Sequence, residues 1–550
     1  MTAVPPVTPT GADMTLGAMP PVHVRAGLSS PTHTCRLAAA WPISLAVALP
    51  LLALFLSGNV SLSLWDEGFL WYGAQRVLAG EVPQRDFQAY DLARYYWSAA
   101  WMLLLDSDGI LALRAGQAVL ASVCVALATL LVRRELRGSS WLLGAVVVSF
   151  WFWMAPHYKV ADSFAVLLLV AGLSVPLRQQ TPGRWAVFGG CLGVATSIGI
   201  NHGAYGAVAG AFAITYFLLS DRAAVKLSWF AGGVLGGLAG YLPVLVFHVA
   251  VPGYSAAFID AIRLIFESGT TNIPLPLLRL DAIWNGTARN IVHGVREMVL
   301  GLLSLAAGAL LLWGTSRMVR SAREDPVATS PVYAASLFVA LPYCHYYLSR
   351  ADVVHAAISA LPILLAAWTY PTVRRAGVHR AALILVTACS GLLALPEHTG
   401  YGLWRGKPLE WTDVRGDKLR VEAYQAADLA LVQQTVQSHA GGDRLFFVAP
   451  YWPGAYAVAA RRSPAWEIFL LLPISPQRQQ AEIQRLTDAD IAFALLTSDR
   501  NDGRPDLGLE RTHPLIVAHL ERCMQLTHID SPAHPGARLL VARRAVCRTE

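Results

Sequence analysis

Four polar clusters interrupt an otherwise apolar chain, and each holds groups able to do acid–base or phosphate chemistry. The first is Trp65-Asp66-Glu67-Gly68-Phe69-Leu70-Trp71-Tyr72, directly after the apolar run 41–64. A carboxylate there is placed to take a proton from a hydroxyl as that hydroxyl attacks carbon. An acid that merely caps a helix would also stand there, but two adjacent acids exceed what one cap needs. The second cluster holds Arg85, Asp86, Asp91 and Arg94 among Tyr90, Tyr95, Tyr96 and Trp97. It reads either as a solvated loop with surface ion pairs worth about 0–1 kcal/mol each, or as a phosphate site. Arg94 suits the latter, because the guanidinium fork pairs with two phosphate oxygens at once. The third is His157-Tyr158-Lys159 with Asp162, where Asp162 is either a helix cap or a second acid facing the first. The fourth runs from Tyr343 to His355 and contains His345, Arg350, Asp352 and His355. It is an aromatic belt with a snorkelling Arg, or a phosphate site at Arg350 assisted by a histidine. The candidate catalytic acids are Asp66, Glu67 and Asp162. The candidate substrate- or phosphate-binding residues are Arg85, Asp91, Arg94, Lys159, His345, Arg350, Asp352 and His355. No cofactor is demanded. A divalent metal stays open at the histidines, whose spacing matches no strong ligand motif.

The elements that must position these groups are membrane helices. Hydrophobic residues make up 55% of the 550 positions and charged residues 14%, against about 25% charged in soluble domains. Eleven apolar runs fall at about 41–64, 109–132, 139–156, 160–177, 185–201, 203–220, 227–250, 297–316, 331–348, 353–371 and 380–396. Each is of a length to cross roughly 30 Å of hydrocarbon. Alternate short loops carry the basic residues, among them Arg133, Arg134 and Arg137, Arg178 and Arg184, Arg222 and Lys226, Arg317, Arg320 and Arg323, and Arg374, Arg375 and Arg380. These loops are read as cytoplasmic, which puts all four polar clusters on the outer face. The net charge of +7 belongs to this loop bias, since no basic run is interleaved with aromatics as in nucleic-acid binders. No Walker loop, dinucleotide fingerprint or nucleophile elbow is present, which argues against an ATP-driven pump.

The expected architecture is a polytopic α-helical membrane protein with a C-terminal extracytoplasmic α/β domain. Residues 1–40, rich in Pro, Thr, Gly and Ala, read as a disordered cytoplasmic tail. Residues 41–396 form the membrane domain, with large outer loops at 65–108 and 251–296. Leu70, Ala74, Val77 and Leu78 recur at helical spacing, which predicts a short amphipathic helix lying along the interface and ending near Gly80. Phe258–Phe266 reads as an interfacial helix, Pro274-Leu275-Pro276 as a loop, and Asn285-Gly286-Thr287 fits a glycosylation sequon. Residues 397–550 alternate strand candidates at 444–449, 491–496 and 537–542 with helix candidates at 477–487 and 514–525. Cys523 and Cys547 share this polar region and are placed to pair if it lies outside the cell.

Together these residues resemble the GT-C superfamily of membrane glycosyltransferases, in particular the polyprenyl- or dolichyl-phosphate-sugar-dependent branch of protein O-mannosyltransferases and aminoarabinose transferases. That family places an Asp-Glu or Asp-Asp pair just after the first membrane helix, as Asp66-Glu67 stand here. It also places an acid in the second outer loop, where Asp162 stands. Asp66 through Trp97 is similar to bacterial GT-C-like proteins whose motif ends Tyr-Asp-Pro-Gly-Arg-Tyr-Tyr-Trp. Here Leu92-Ala93 replaces Pro-Gly in Tyr90-Asp91-Leu92-Ala93-Arg94-Tyr95-Tyr96-Trp97. The resemblance covers the membrane portion, most strongly 60–165. It implies about eleven transmembrane helices in the plasma (inner) membrane, with the N-terminus cytoplasmic and the C-terminal domain outside. It also implies inverting transfer of a sugar from a polyprenyl-phosphate donor to a cell-envelope acceptor, with Asp66 as base and Arg94 or Arg350 on the phosphate. A transporter or flippase of lipid-linked saccharides is the main alternative. Such a protein more often carries charge near the bilayer midplane and broken helices in paired halves. A non-catalytic sensor would leave the acidic first loop without a purpose.

Overall fold

The computed structural model describes residues 33–136, 140–220, 225–269, 273, 288–324, 330–370, 377–529 and 536–542. The chain divides into two units, Met1–Trp41 and Pro42–Glu550. Only residues 33–41 of the first unit are described, and most of the expected tail lies outside the described residues, as do the sequon, Pro274–Pro276, Arg137, Arg222, Arg374, Arg375 and Cys547. Cys523 is disulfide-bonded.

Among the described residues, fourteen α-helices run through the first 394 positions. They are α1 (His33–Ser57), α2 (Asp66–Leu78), α3 (Leu92–Leu104), α4 (Ile110–Arg133), α5 (Ser140–Phe152), α6 (Val160–Arg178), α7 (Pro182–Ile198), α8 (Ile200–Leu219), α9 (Leu227–Ala250), α10 (Tyr254–Ser268), α11 (Ala288–Glu324), α12 (Pro331–Ser349), α13 (Val353–Thr369) and α14 (Gly377–Ala394). Each of the eleven apolar runs coincides with one of them. Six described helices are long and apolar enough to cross a membrane: Ile110–Arg133, His157–Arg178, Ile200–Leu219, Leu227–Ala250, Ile291–Arg320 and Arg380–Glu397. Trp41–Ser57, Ser140–Phe152 and Val353–Thr369 are shorter apolar helices. Their packing core is built from Val125, Val146, Phe150, Val166, Leu169, Leu337, Leu361 and Trp368, all fully buried. Helices α7 and α9 meet backbone to backbone, since a Cβ on Gly189 would lie 2.0 Å from the Gly233 carbonyl oxygen. Small residues allow such an approach where apolar burial alone does not drive helices together.

After a short turn at Tyr401–Trp404 comes an antiparallel hairpin, β1 (Glu410–Val414) with β2 (Asp417–Val421). A capping box between Glu422 and Gln425 starts α15 (Ala423–His439). A four-stranded sheet follows in the order β3 (Phe447–Ala449), β4 (Phe493–Leu496), β6 (Arg538–Ala542), β5 (Met524–His528). Strands β3 and β4 are parallel, and the other neighbours are antiparallel. Helices α16 (Gly454–Ala459), α17 (Pro476–Asp488) and α18 (Pro514–Cys523) flank it. The hairpin, α15 and β5 were not expected from the sequence.

The main departure concerns α2. Its residues Glu67–Ala74 are all buried, so it does not lie along a membrane interface. Phe69, Leu70, Trp71 and Tyr72 join Phe87 and Tyr95 in one core with Val414, Phe446, Tyr451, Tyr456, Phe469 and Phe493. The helical spacing of apolar residues recorded burial under the C-terminal segment rather than contact with lipid. Gly68 and Gly454 make the seam possible: a Cβ on Gly68 would stand 2.6 Å from the Gly454 Cα. Residues on both sides of the expected 396/397 boundary contribute to this core. Helix α10 is tied to α17 by Arg478, which reaches Asp260 at 2.8 Å and Glu267 at 2.8 Å, while Phe266 stays exposed.

Candidate active site

The site is built from the start of α2, the start of α3 and the three-residue turn His157–Lys159 that leads into α6. Asp66 and Glu67 are the first two residues of α2, and neither caps it: the N-cap is Trp65, with no side-chain hydrogen bond. Their environments differ sharply. Glu67 is 2% exposed. It takes a two-pronged ion pair from Arg114, Nε to Oε1 at 2.7 Å and Nη2 to Oε2 at 2.8 Å. His157 Nε2 lies 2.5 Å from the same Oε1. Arg114 fills its remaining donors with the carbonyls of Gly58, Val60 and Ser61. Burial pushes the Glu67 carboxyl up, but the Arg114 and His157 charges outweigh it and hold the group well below the usual carboxylate range. Glu67 is thus a clamp between α2, the loop after α1, and α4. Asp66 is half-buried, and its one side-chain hydrogen bond among the described residues comes from the Tyr158 hydroxyl, at 3.3 Å. It has no ion pair there.

Asp162 was expected as a cap or a second base. No side chain caps α6. The Asp162 carboxylate instead accepts from Arg94 Nη2 at 2.8 Å and from His202 Nε2 at 2.8 Å. His202 Nδ1 then accepts from the Tyr343 hydroxyl at 2.6 Å. This chain joins α3, α6, α8 and α12. Arg94 also donates to the Ile198 carbonyl at 2.9 Å and lies 5.1 Å from the Tyr90 ring centre. Burial disfavours the Arg94 charge, but Asp162 outweighs this and keeps it protonated. Its Nε is buried and has no partner among the described residues. Lys159 forms no ion pair among the described residues, yet it lies within electrostatic reach of Tyr90, Asp352 and His355. Asp66 acts on the same Tyr90.

The other expected residues are dispersed around this centre. Asp352 caps α13 through the His355 N–H at 2.8 Å and pairs with the His355 ring. Asp91 accepts from the Ile200 N–H at 3.1 Å, joining α3 to the start of α8. Arg350 pairs with Asp502 of the C-terminal segment. His345 is exposed and meets the Tyr205 hydroxyl at 3.1 Å. Arg85 pairs with its neighbour Asp86 and faces a cavity shared with Asp260 and Arg478, away from Asp66. Arg114 and His202, which lie inside or at the edges of apolar runs, were missed, and Tyr343 and His157 were read in their clusters but not as partners of His202 and Glu67. A charged residue such as Arg114 inside a membrane run is itself a signal. Among the described residues no group of three or more His, Cys, Asp or Glu converges as a metal site.

No protein-family model matches this chain, and no curated protein matches it in sequence. Among solved structures it is similar to ArnT from Cupriavidus metallidurans bound to undecaprenyl phosphate, at 13% identity and a TM-score of 0.47 over 93% of this chain and 100% of that one. It is also similar to the oligosaccharyltransferase AglB from Archaeoglobus fulgidus in complex with an inhibitory peptide and a dolichol-phosphate, at 10% identity and a TM-score of 0.42 over 92% and 74%. The third is the arabinofuranosyltransferase AftD from Mycobacteria, at 14% identity and a TM-score of 0.38, of which this chain spans 41%.

Proposed function

We propose that this chain is a membrane glycosyltransferase of the GT-C kind, carrying a sugar from a polyprenyl-phosphate donor to a hydroxyl of a cell-envelope acceptor at the outer face of the plasma membrane. The supporting observation is the pairing of an uncommitted acid with uncommitted cationic donors: Asp66 without an ion pair, near Lys159 without one and an Arg94 Nε–H without a partner. In this reading the eleven apolar helices cross the bilayer, with the N-terminus inside and residues 397–550 outside.

Asp66 removes the proton from the acceptor hydroxyl, and the oxygen attacks the anomeric carbon. The bond from that carbon to the phosphate oxygen breaks, and the electron pair leaves with the phosphate. Arg94 and Lys159 stabilise the charge growing there as positioned donors. One displacement inverts the anomeric centre. Asp162 is committed to Arg94 and His202 and orients the guanidinium rather than taking the proton. The lipid-linked-saccharide transporter is the second reading. It is weaker because the charged groups gather at one end of the helices, and an unpaired acid beside them has no part in passage.

The test is sugar transfer in membranes containing the chain, with labelled polyprenyl-phosphate sugars. Asp66→Asn should abolish transfer while preserving the unfolding temperature. Full activity in that variant would remove Asp66 as the base. Movement of the label across vesicles without any glycosylated product would favour transport.

A further inference from the structure

Beside the His157–Lys159 turn lies a chamber of about 250 Å³. It is walled by Ser63, Glu67, His157 and Tyr158 from the membrane part, and by Glu397, His398, Thr399, Tyr401, Lys407 and Glu422 from the segment entering the C-terminal region. We infer that this chamber binds the acceptor as a neutral sugar ring, with His157 Nδ1 hydrogen-bonded to one of its hydroxyls. The inference rests on the transferase reading.

Four observations lead to it. First, each carboxylate in the wall is paired with a cation. Glu67 is paired with Arg114, Glu422 with Lys407 at 2.8 Å, and Glu397 with Arg296 at 3.0 Å. Arg405, at the exposed rim, stacks over Tyr401. With its carboxylates paired and its one unpaired cation among the described residues stacked at the rim, the interior of the chamber favours a polar ligand without net charge. Second, His157 Nε2 is taken up by Glu67, which leaves Nδ1 as the ring nitrogen that can hydrogen-bond a ligand. Nδ1 has no hydrogen-bond partner among the described residues and is not among the buried unpartnered atoms, so it is open to a ligand. Third, Tyr158 lines the chamber and donates to Asp66, so a hydroxyl placed here approaches the proposed base. Fourth, the volume lies just below the roughly 300–1,000 Å³ of pockets for drug-sized ligands, which suits one ring. Tyr401 and Tyr158 supply flat faces for sugar C–H groups, and Ser63 and Thr399 add hydroxyls.

Occupancy is read without catalysis by cysteine labelling. Thr399→Cys places a thiol in the chamber, and Asp443→Cys, at a 99% exposed side chain, serves as the control. The probes are methyl glycosides of glucose, mannose, galactose and arabinose, added to the full chain in lipid nanodiscs with a maleimide reagent. At a concentration about twice Kd, a bound glycoside leaves about one third of sites free, so labelling at 399 slows about threefold. Labelling at 443 is unchanged, and the protection is lost when His157→Gln is added. Four glycosides that all fail to protect position 399, equal slowing at both positions, or protection that survives His157→Gln would each overturn the inference. Because labelling needs no turnover, a negative result alongside working sugar transfer strikes this inference alone. An inactive chain that still protects position 399 strikes the transferase reading alone.

Discussion

Asp66 and Glu67 are adjacent in sequence and opposite in use. One turn of helix carries Glu67 inward onto Arg114 and leaves Asp66 beside Tyr158. Breaking a buried, hydrogen-bonded ion pair from one side costs about 3–5 kcal/mol, because the other charge stays buried. Glu67→Gln should therefore lower stability by about that much, read by thermal unfolding in detergent, whereas Asp66→Asn should change it little. The pH dependence follows from the sign of the shift. The folded carboxyl titrates below its ordinary value of 4.5, so its contribution is full above that value and is lost as pH falls below it. Wild-type protein should lose stability steeply below about pH 4.5, and Glu67→Gln should show a flatter decline over that range. At this scale the sequence was informative about residue type and position but not about commitment. Asp66, Glu67 and Asp162 looked alike as acids near membrane exits. What separates them is whether Arg114, Arg94 or His202 reaches them, and those contacts span 47, 68 and 40 residues. Arg350 illustrates the converse, since its partner Asp502 lies 152 residues away, whereas the Arg85–Asp86 pair is of the surface kind its sequence suggested.

Among the elements, the helices were largely legible because an apolar run of about twenty residues leaves few alternatives. The ends of α4, α6 and α9 fall within a residue or so of the expected runs. Helix α2 was legible as a helix but not in its setting. A face of Leu70, Ala74 and Val77 fits lipid, or the underside of a sheet, equally well. The Gly68–Gly454 approach decides between them and makes a specific claim. Gly68→Val would force side-chain atoms into a backbone at 2.6 Å, so α2 has to shift. Overpacking of this sort costs typically about 1–3 kcal/mol. Because α2 carries Asp66, transfer activity should fall further than the loss of folded protein accounts for, measured as activity per folded molecule by size-exclusion chromatography. Wild-type specific activity in Gly68→Val would show that this contact does not set the position of the acid.

For the molecule as a whole, side chains from both sides of residue 396 share one core. Residues 445–470 cover the segment 65–108: Gln88 Oε1 accepts from the N–H groups of Ile468 and Phe469 at 3.0 and 2.9 Å, and Trp466 Nε1 donates to the Gln84 carbonyl. A chain truncated after residue 396 should therefore expose Phe69, Trp71 and Tyr72 and aggregate in detergent, while the full chain elutes as a single species. A well-behaved truncated protein would show that the two parts are independent after all.

The Tyr72 hydroxyl accepts from the Ser463 N–H, 391 residues further along the chain. Synthesis proceeds at about 5–20 residues per second, so roughly 20–80 s pass between the emergence of the first residue and that of its partner. Throughout that interval the segment bearing Asp66 has already left the ribosome while its aromatic side chains still lack their cover. Its vulnerable period is set by chain length, and any insertion between the two segments lengthens the wait without touching either one.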